Sequence, residues 1–331
     1  MNPRYAVHAF LGRHNFQAGG PSVNSIIQTM MYDMEEGLVR DPSNPPAQGP
    51  SMDMIPTWAV PPKSSPKNKS VIVIDAGGTN FRSCLVTFDA NGTPTISDME
   101  KKAMPATDRE YSKKEFFETI ASFLDHLKNK ADRIGFCFSY AMSITPEGDG
   151  KVIQFSKEIK AKEVIGSLVG ESLSDALVER GWNRPKKVVL LNDTTAALLA
   201  GASAATNGKE YDSYVGFILG TGMNAAYIES GAIPKIASLG APVPESQIIV
   251  CESGKCNKVA RSDFDAVLDN STNSPGLYGY EKMCSGAYLG PVSRLALVEA
   301  AKEGLFSSAV SAKLAAVDTL ELKDMDQFFY G

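Results

Sequence analysis

An α/β fold of two lobes facing one cleft is what the order of elements in this 331-residue chain predicts, and three observations carry the prediction. The first is a β-branched strand, Val71 to Ile74, that runs straight into an acid, two glycines and a threonine-asparagine pair (VIVIDAGGTNFR). The second is a succession over residues 71–139 of three strands, one helix of apolar period 3.6 and a further buried strand. The third is another glycine turn, Gly220-Thr221-Gly222, set between two short strands and preceded by the strand VVLL and an Ala/Leu helix.

Taken in order, the apolar residues from Val23 to Leu38 fall at Val23, Ile26, Ile27, Met30, Met31, Met34 and Leu38, a stripe on one helical face. Methionine is a common filler of cores, so the stripe reads as packed rather than as a partner-binding face. Residues 41–69 are rich in Pro, Ser and Lys, lack periodicity, and read as a long surface connection. Strand VIVIDAG, strand RSCLVTFD, the turn Ala90-Asn91-Gly92 and a third strand near Thr95 to Met99 make an antiparallel meander. A helix from Lys113 to Lys128, with Phe116, Phe117, Ile120, Phe123, Leu124 and Leu127 at helical spacing, covers it and leads into a buried strand, Arg133 to Ser139. This β-β-β-α-β order resembles the ribonuclease-H-like unit of actin-like ATPases. A second unit begins at Val188, with strand VVLL, the triplet Asn192-Asp193-Thr194, a helix through Gly201, strand Tyr214 to Leu219 and strand Ala225 to Glu229. The expected organisation is an N-terminal helix and Pro-rich connection over residues 1–66, packed on the large lobe. A small lobe over 67–190 and a large lobe over 191–331 follow.

Composition removes several partners. Hydrophobic residues make up 43% and charged residues 21%, as in ordinary globular domains. A net charge of -5 without any basic block disfavours nucleic acid and anionic membrane surfaces. No apolar run approaches the ~20 residues of a membrane span, and MNPRYAVHAFLGRHNF is too broken by Arg and His for a signal peptide, so a cytoplasmic protein is expected. Five cysteines at irregular spacing do not form a disulfide framework, and Cys251 and Cys256 alone fall short of a four-ligand zinc site. His8, His14 and His126 lie outside every glycine-rich segment, which leaves histidine-based nucleophilic catalysis little to work with.

Transfer of a phosphoryl group to a sugar needs a base for an alcohol, a cradle for phosphates, a metal, and side chains that fix the sugar hydroxyls. Gly77 and Gly78 leave no side chain between backbone and ligand, so that N–H groups can face phosphate oxygens. Asp75 stands where it can hold Mg²⁺ directly or through water, and Thr79, Asn80 and Arg82 offer hydroxyl, amide and guanidinium donors. An ordinary glycine hairpin has the same signature. Asn192-Asp193-Thr194 presents either a carboxylate for a substrate hydroxyl or a helix N-cap. Gly220-Thr221-Gly222-Met223-Asn224 is either a tight hairpin or a second phosphate turn with a sugar-reading amide.

In order and combination these segments resemble the hexokinase and glucokinase family, from about Val71 to Arg294. DAGGTNFR is similar to that family's first phosphate loop, VVLLNDTTAALLAG to its interdomain connection and GFILGTGMNAAYIE to its second phosphate loop. GFCFSYAMSITPEGDGKVIQFSKEI is similar to the sugar-binding segment, with Ala141 at the usual proline and Ser156-Lys157 at the usual Thr-Lys. The resemblance implies a ribonuclease-H-like sugar-kinase fold with a sugar/ATP cleft, and ATP-dependent phosphorylation of the 6-hydroxyl of glucose or a related hexose at entry to glycolysis. It assigns Asp193 as the base and Lys157 to the charge on the transferring phosphoryl group. It assigns Ser139, Ser156, Lys157, Asn192, Asp193, Asn224, Glu252 and Glu281 to the sugar. ATP falls to Asp75, Gly77, Gly78, Thr79, Asn80, Arg82, Gly220, Thr221 and Gly222, and Mg²⁺ to Asp75 and Asp193 through water. A monomer or homodimer is expected.

Departures from the family pattern bear on sugar preference. Tyr278 stands where a sugar-contacting amide is common, Cys251 and Ser253 flank Glu252 in place of Thr and Trp, and Ser156 replaces Thr. The family pattern also continues past a point like Gly331 with an adenosine-binding Asp-Gly-Ser loop and a closing helix. The chain therefore reads as the greater part of a hexokinase, or as a sugar-binding regulator without a complete nucleotide site.

Overall fold

The computed structural model describes residues 3–16, 21–39, 49–61, 66–77, 80–155, 159–203, 211–237 and 242–331. Two helices, α1 (Pro3–Arg13) and α2 (Val23–Val39), precede a short strand β1 (Ile55–Pro56). The start of α2 is where its apolar spacing puts it, but only part of its stripe is used. Met30, Met34 and Leu38 pack with Met52, Met54 and Ile249, whereas Val23, Ile27 and Met31 stay exposed. Its inner face carries the buried Asp33, whose carboxylate accepts hydrogen bonds from Ser51 N (3.0 Å), Ser51 Oγ (2.7 Å) and Met52 N (3.1 Å). Residues 49–61 are thus not the aperiodic surface connection expected. Met52 and Met54 are core residues, and the backbone beyond them joins a sheet.

The next elements are β2 (Lys69–Gly77), β3 (Asn80–Phe88), β4 (Pro94–Ala103), α3 (Lys113–Phe123) and β5 (Arg133–Phe138). A hairpin of β6 (Ala141–Ile144) and β7 (Gly150–Gln154), then α4 (Val169–Glu179) and β8 (Lys187–Leu191), follow. Five of these strands form one sheet in the order β4-β3-β2-β5-β8, antiparallel from β4 to β2 and parallel from β2 to β8. Alternation along β2 buries Ile72, Ile74 and Ala76 with Phe116, Phe117 and Ile120 of α3 and Leu173 and Leu177 of α4. Ser112 caps α3 by accepting from Glu115 N at 3.2 Å. The helix ends at Phe123 instead of running to Lys128, because Leu124 closes it and Asp125–Leu127 tighten into a 3₁₀ turn. Leu124 and Leu127 are nevertheless fully buried, so the apolar period outlasts the helix that suggested it. Asp149 fixes the start of α4 by accepting from Gly170 N (2.7 Å) and Glu171 N (2.9 Å).

The remaining chain holds α5 (Asp193–Ser203), β9 (Val215–Leu219), β10 (Met223–Ser230), α6 (Pro234–Ala237) and β11 (Ser246–Val250). After these come α7 (Asp263–Ser271), α8 (Gly279–Cys284), α9 (Leu289–Lys302), α10 (Ser308–Ala315) and α11 (Leu322–Tyr330). The second sheet is antiparallel throughout, in the order β1-β11-β10-β9. Helix α5 crosses β9 at Gly216, where an added Cβ would lie 2.1 Å from the carbonyl oxygen of Thr194. Glycine there permits the close approach that brings the first turn of α5 to the cleft. Among the described residues no helix is long and apolar enough to cross a membrane.

Helix α1 docks on the second lobe through Phe10, which packs with Phe264, Val292 and Ala296. Beyond its end, His14 lies 4.7 Å from the Phe10 ring and 4.9 Å from that of Phe264. Its Nε2 is 2.8 Å from Glu303 Oε1 and its Nδ1 3.2 Å from Asp263 Oδ2. The Glu303 hydrogen bond raises the imidazole above its ordinary value, against the opposing effect of burial, and Asp263 adds to the rise. A raised folded value makes this clasp fully effective below pH about 6.5 and lost as pH rises through the folded value. Amide-exchange protection of α1, corrected for intrinsic rates, is therefore expected to fall on the alkaline side. His14→Gln should abolish that dependence, and an identical pH response in the variant would remove His14 as its source.

Candidate active site

The parallel strands of the first sheet bring their C-terminal ends to one edge, where α/β sheets commonly hold ligands. Register places Asp75 of β2 beside Cys137 of β5, and Cys137 beside Leu191 of β8, with Asn192 and Asp193 next along the chain. Ser139 follows β5 and donates its N–H to Ala76 O at 3.1 Å. Gly77 lies so close to it that an added Cβ would sit 2.9 Å from both Ser139 Cβ and Oγ. The Cys137 thiol is hydrogen-bonded to Ser139 and Asp75 and feels Asp193 as well. Burial first, then the charges of Asp75 and Asp193, push it up to about 12, so it stays a neutral thiol between two carboxylates.

The strands on either side of the first glycine turn, β2 and β3, pair antiparallel with Gly77 opposite Asn80. Gly78 and Thr79 lie outside the described residues, as do Ser156 and Lys157. Asn80 and Arg82 are strand residues of β3. Arg82 stands opposite Asp75 and donates Nη1–H to its Oδ2 at 2.9 Å, with both side chains about half exposed. Of the two alternatives for the Asn192 triplet, the helix cap is present. Asn192 Oδ1 accepts from Thr194 N (3.0 Å) and from the Thr194 hydroxyl, which caps α5, while Asp193 becomes the first residue of the helix. A carboxylate in that position also gains from the positive end of the helix dipole.

The second lobe contributes a compact hydrogen-bonded set around the β9–β10 turn. Asn224 Nδ2 donates to Glu252 Oε1 at 3.0 Å, and Asn224 Oδ1 accepts from Ser253 N (3.2 Å) and Ala225 N (2.7 Å). Met223 N donates to Glu281 Oε2 at 2.9 Å. Glycines make room for that carboxylate, since a Cβ on Gly222 would lie 2.7 Å from Glu281 Oε2 and one on Gly254 3.1 Å from Glu281 Cβ. The turn is a tight hairpin, with Gly220 N donating to Gly222 O at 2.9 Å. It is buttressed from behind by Gly286 N on Gly220 O (2.7 Å) and Ala287 N on Thr221 O (3.3 Å). Burial pushes the Glu252 carboxyl up; Lys255 opposes the rise, and Asp53 and Asp193 add to it. Asp193 thus acts electrostatically on both Cys137 in one lobe and Glu252 in the other.

Three residues of this surface have no motif to announce them. Cys137 is two positions before Ser139 on a strand and gains meaning only from its register with Asp75. Lys255 and Asp53 pair at 2.5 Å across 202 positions. Among the described residues no group of three or more His, Cys, Asp and Glu is disposed to hold a metal ion, and all five cysteines are free thiols.

Two family models described as hexokinase match the chain, one over residues 12–203 and one over residues 214–329. Hexokinase-1 of Schizosaccharomyces pombe is 30% identical over 320 residues, which cover 92% of this chain and 63% of that protein. Glucokinase-1 of Kluyveromyces lactis is 29% identical over 317 residues, covering 86% of this chain and 64% of its own length. The structure described as hexokinase from Schistosoma mansoni complexed with glucose matches with a TM-score of 0.71 at 26% identity, over 92% of this chain and 69% of that one. The chain spans 63% and 64% of the length of these two sequence relatives. With the first family model alone covering more than half of its residues, and with the two sheets in the two-lobed order of a sugar kinase, the chain belongs to the hexokinase family.

Proposed function

We propose that the chain transfers the γ-phosphoryl group of ATP to the 6-hydroxyl of glucose or a related hexose, the step at entry to glycolysis. The observation that carries this reading is the convergence on one cleft of Asp193 with the hydrogen-bonded set of Asn224, Glu252 and Glu281. Free carboxylate oxygens on Glu252 and Glu281 accept hydrogen bonds from sugar hydroxyls, and Asn192, whose oxygen caps α5, has its amide nitrogen to donate. Ser139 supplies a hydroxyl from the other lobe. Such a set discriminates sharply, because a ligand lacking one hydroxyl leaves a buried partner unpaired.

Asp193 accepts the proton of the 6-hydroxyl as its oxygen attacks phosphorus. The new O6–P bond forms, the bond from phosphorus to the β,γ-bridging oxygen breaks, and ADP leaves with the electron pair. Lys157 stabilises charge on the transferring group, and Thr79, Thr221 and the two glycine turns hold phosphate oxygens from opposite lobes. The residues present fit a hydrated Mg²⁺: Asp75 and Asp193 both act on Cys137, and a pair of carboxylates suits an ion that keeps most of its water. When bound, Mg²⁺ would neutralise phosphate charge, with Asp75 and Asp193 as the residues that would hold it through water. Closure of the lobes excludes water from the acceptor site.

The test is ADP release with Mg²⁺-ATP across a panel of hexoses against a no-sugar control. Sugar-dependent turnover is expected; a folded chain that binds no hexose would overturn the reading, and binding without turnover would leave a sugar-binding role alone. Glu252→Gln is expected to weaken hexose binding by about 1–3 kcal/mol, the loss of a charged hydrogen bond. Unchanged affinity in calorimetry would take Glu252 out of the pocket.

A further inference from the structure

Lys255 takes no part in the reaction described above, yet its side chain ends against the sugar site. It belongs to the 3₁₀ turn Ser253–Lys255 that starts at Glu252, and its N–H donates to Glu252 O at 3.0 Å. Its ammonium group bonds Asp53 Oδ2 at 2.5 Å and stands 5.7 Å from the ring centre of Tyr278. Glu252 and Tyr278 both hold left-handed backbones, each with φ of 55°. Such conformations cost of order 1–3 kcal/mol apiece and persist only where neighbours over-determine them.

The groups facing Glu252 are Asp53 from the segment before β1, Asn224 of β10, Asp193 of α5 and Lys255 on its own turn, with the Cys251 thiol adjoining. Lys255 is the cation in that company. Asp53 is itself anchored, since Lys235 Nζ donates to the carbonyls of Gly37 (3.0 Å), Asp53 (2.6 Å) and Met54 (2.8 Å). Ser51 and Met52, just before it, are bonded to Asp33 of α2, and Ser51 Oγ accepts from Asn257 N at 3.1 Å. A continuous strut therefore runs from α2 through residues 51–53 to Lys255.

We infer that Lys255 is a positioning residue of the sugar site, tying Glu252 through Asp53 to helix α2 and holding that carboxylate in place as an acceptor for hexose hydroxyls. The inference rests on the hexose reading above and deepens it. Without the ammonium group, Glu252 faces Asp53 and Asp193 with no other cation opposite among the described residues. A carboxylate so placed protonates at higher pH, and affinity for the sugar is lost first on the acid side.

The experiment is calorimetric titration of the full chain with glucose, without nucleotide, at several values between about pH 5.5 and 8.5, a range above the ordinary carboxylate values. Wild type, Lys255→Met, Lys255→Arg and Asp53→Asn are compared. Lys255→Met should weaken binding about tenfold or more at the acid end for each unit by which Glu252 moves, and less at the alkaline end. Turnover should show the loss in KM for the sugar more than in kcat, and Lys255→Arg should restore most of it. Asp53→Asn severs the same link from its other end while removing a carboxylate that pushes Glu252 up, so it should weaken binding with little dependence on pH, and it reports on the link even where Lys255→Met folds poorly. Combining the two substitutions should cost less than their sum, as residues of one network do. A Lys255→Met loss equal at every pH, or affinity unchanged in both variants, overturns the inference. A wild-type chain that binds no hexose fails differently: the sugar reading falls, and the inference with it.

Discussion

Asp193→Ala is expected to lower kcat by about 10²–10⁴-fold, the span that a positioned general base contributes, while hexose binding survives. The split between the two measurements matters because the alternatives predict different ones. A residue that only held the sugar would cost about 1–3 kcal/mol in the binding step itself, as a hydrogen bond to a charged group does. A residue that only capped α5 would cost stability and leave both measurements in proportion. Asn192 Oδ1 accepts from both the N–H and the hydroxyl of Thr194 at the start of α5, and the fit of that helix against Gly216 uses Thr194 and Leu198. Asp193 is the neighbouring carboxylate, and its Oδ1 accepts the Thr194 N–H at 2.8 Å. Asp193→Asn keeps the shape and removes the basic oxygen, so it should match the alanine variant in turnover and the wild type in hexose affinity. Equal loss of turnover and sugar binding in both variants would sink the assignment.

What was legible in the sequence follows from where its signals are stored. Strands β2 and β3 and the two glycine turns were readable because alternation and turn chemistry are local, and the residues of each motif are consecutive. The end of α3 was not, because Leu124 and Leu127 keep the helical period while the backbone tightens to 3₁₀. Strand β1 has two residues, one of them proline, and is a strand only because Val250 and Ile249 lie opposite. Helices α4, α6, α7, α10 and α11 carry no motif that sequence reading used, whereas the hairpin β6–β7 and helix α8 lie in segments that it matched without assigning their structure. In the site, the pairing of Asp75 with Arg82 depends on the antiparallel register of β2 and β3, and a reading of Arg82 as a phosphate donor cannot see its partner. Asp53 was hidden for a sharper reason. Its segment is poor in periodicity and rich in proline nearby, the composition of a loop, yet Lys235 and Asp33 bind its backbone from other elements.

Lys282→Met is expected to destabilise the chain by about 3–5 kcal/mol, the usual cost of removing one partner from a buried ion pair. That is a large part of the roughly 5–15 kcal/mol by which domains are stable. Lys282 is almost wholly buried, and each of its three protons has an acceptor: Asp269 Oδ1 at 2.6 Å, Thr272 Oγ1 at 2.8 Å and Ser274 O at 2.7 Å. Asp269 also accepts from Arg261 Nη1 and Gly276 N, each at 3.0 Å. Burial pushes its carboxyl up, but Lys282, the Gly276 N–H and Arg261 outweigh it and hold the group below the ordinary carboxylate range. A depressed folded value means the stabilisation is present above pH about 4 and is lost only as pH falls through the folded value. The deficit of Lys282→Met should therefore be undiminished at neutral pH and shrink in acid, which urea melts at the two conditions would read. The consequence reaches the site, because Lys282 pins the loop from Thr272 to Ser274 and follows Glu281 directly on α8. Pairing Lys282→Met with Asp269→Leu removes both buried charges and should recover much of the loss, since Arg261, the remaining partner of Asp269, is partly exposed to solvent. A double variant no more stable than the single one would mean that the loop's geometry, and not the loss of the buried cation beside Asp269, carries the cost.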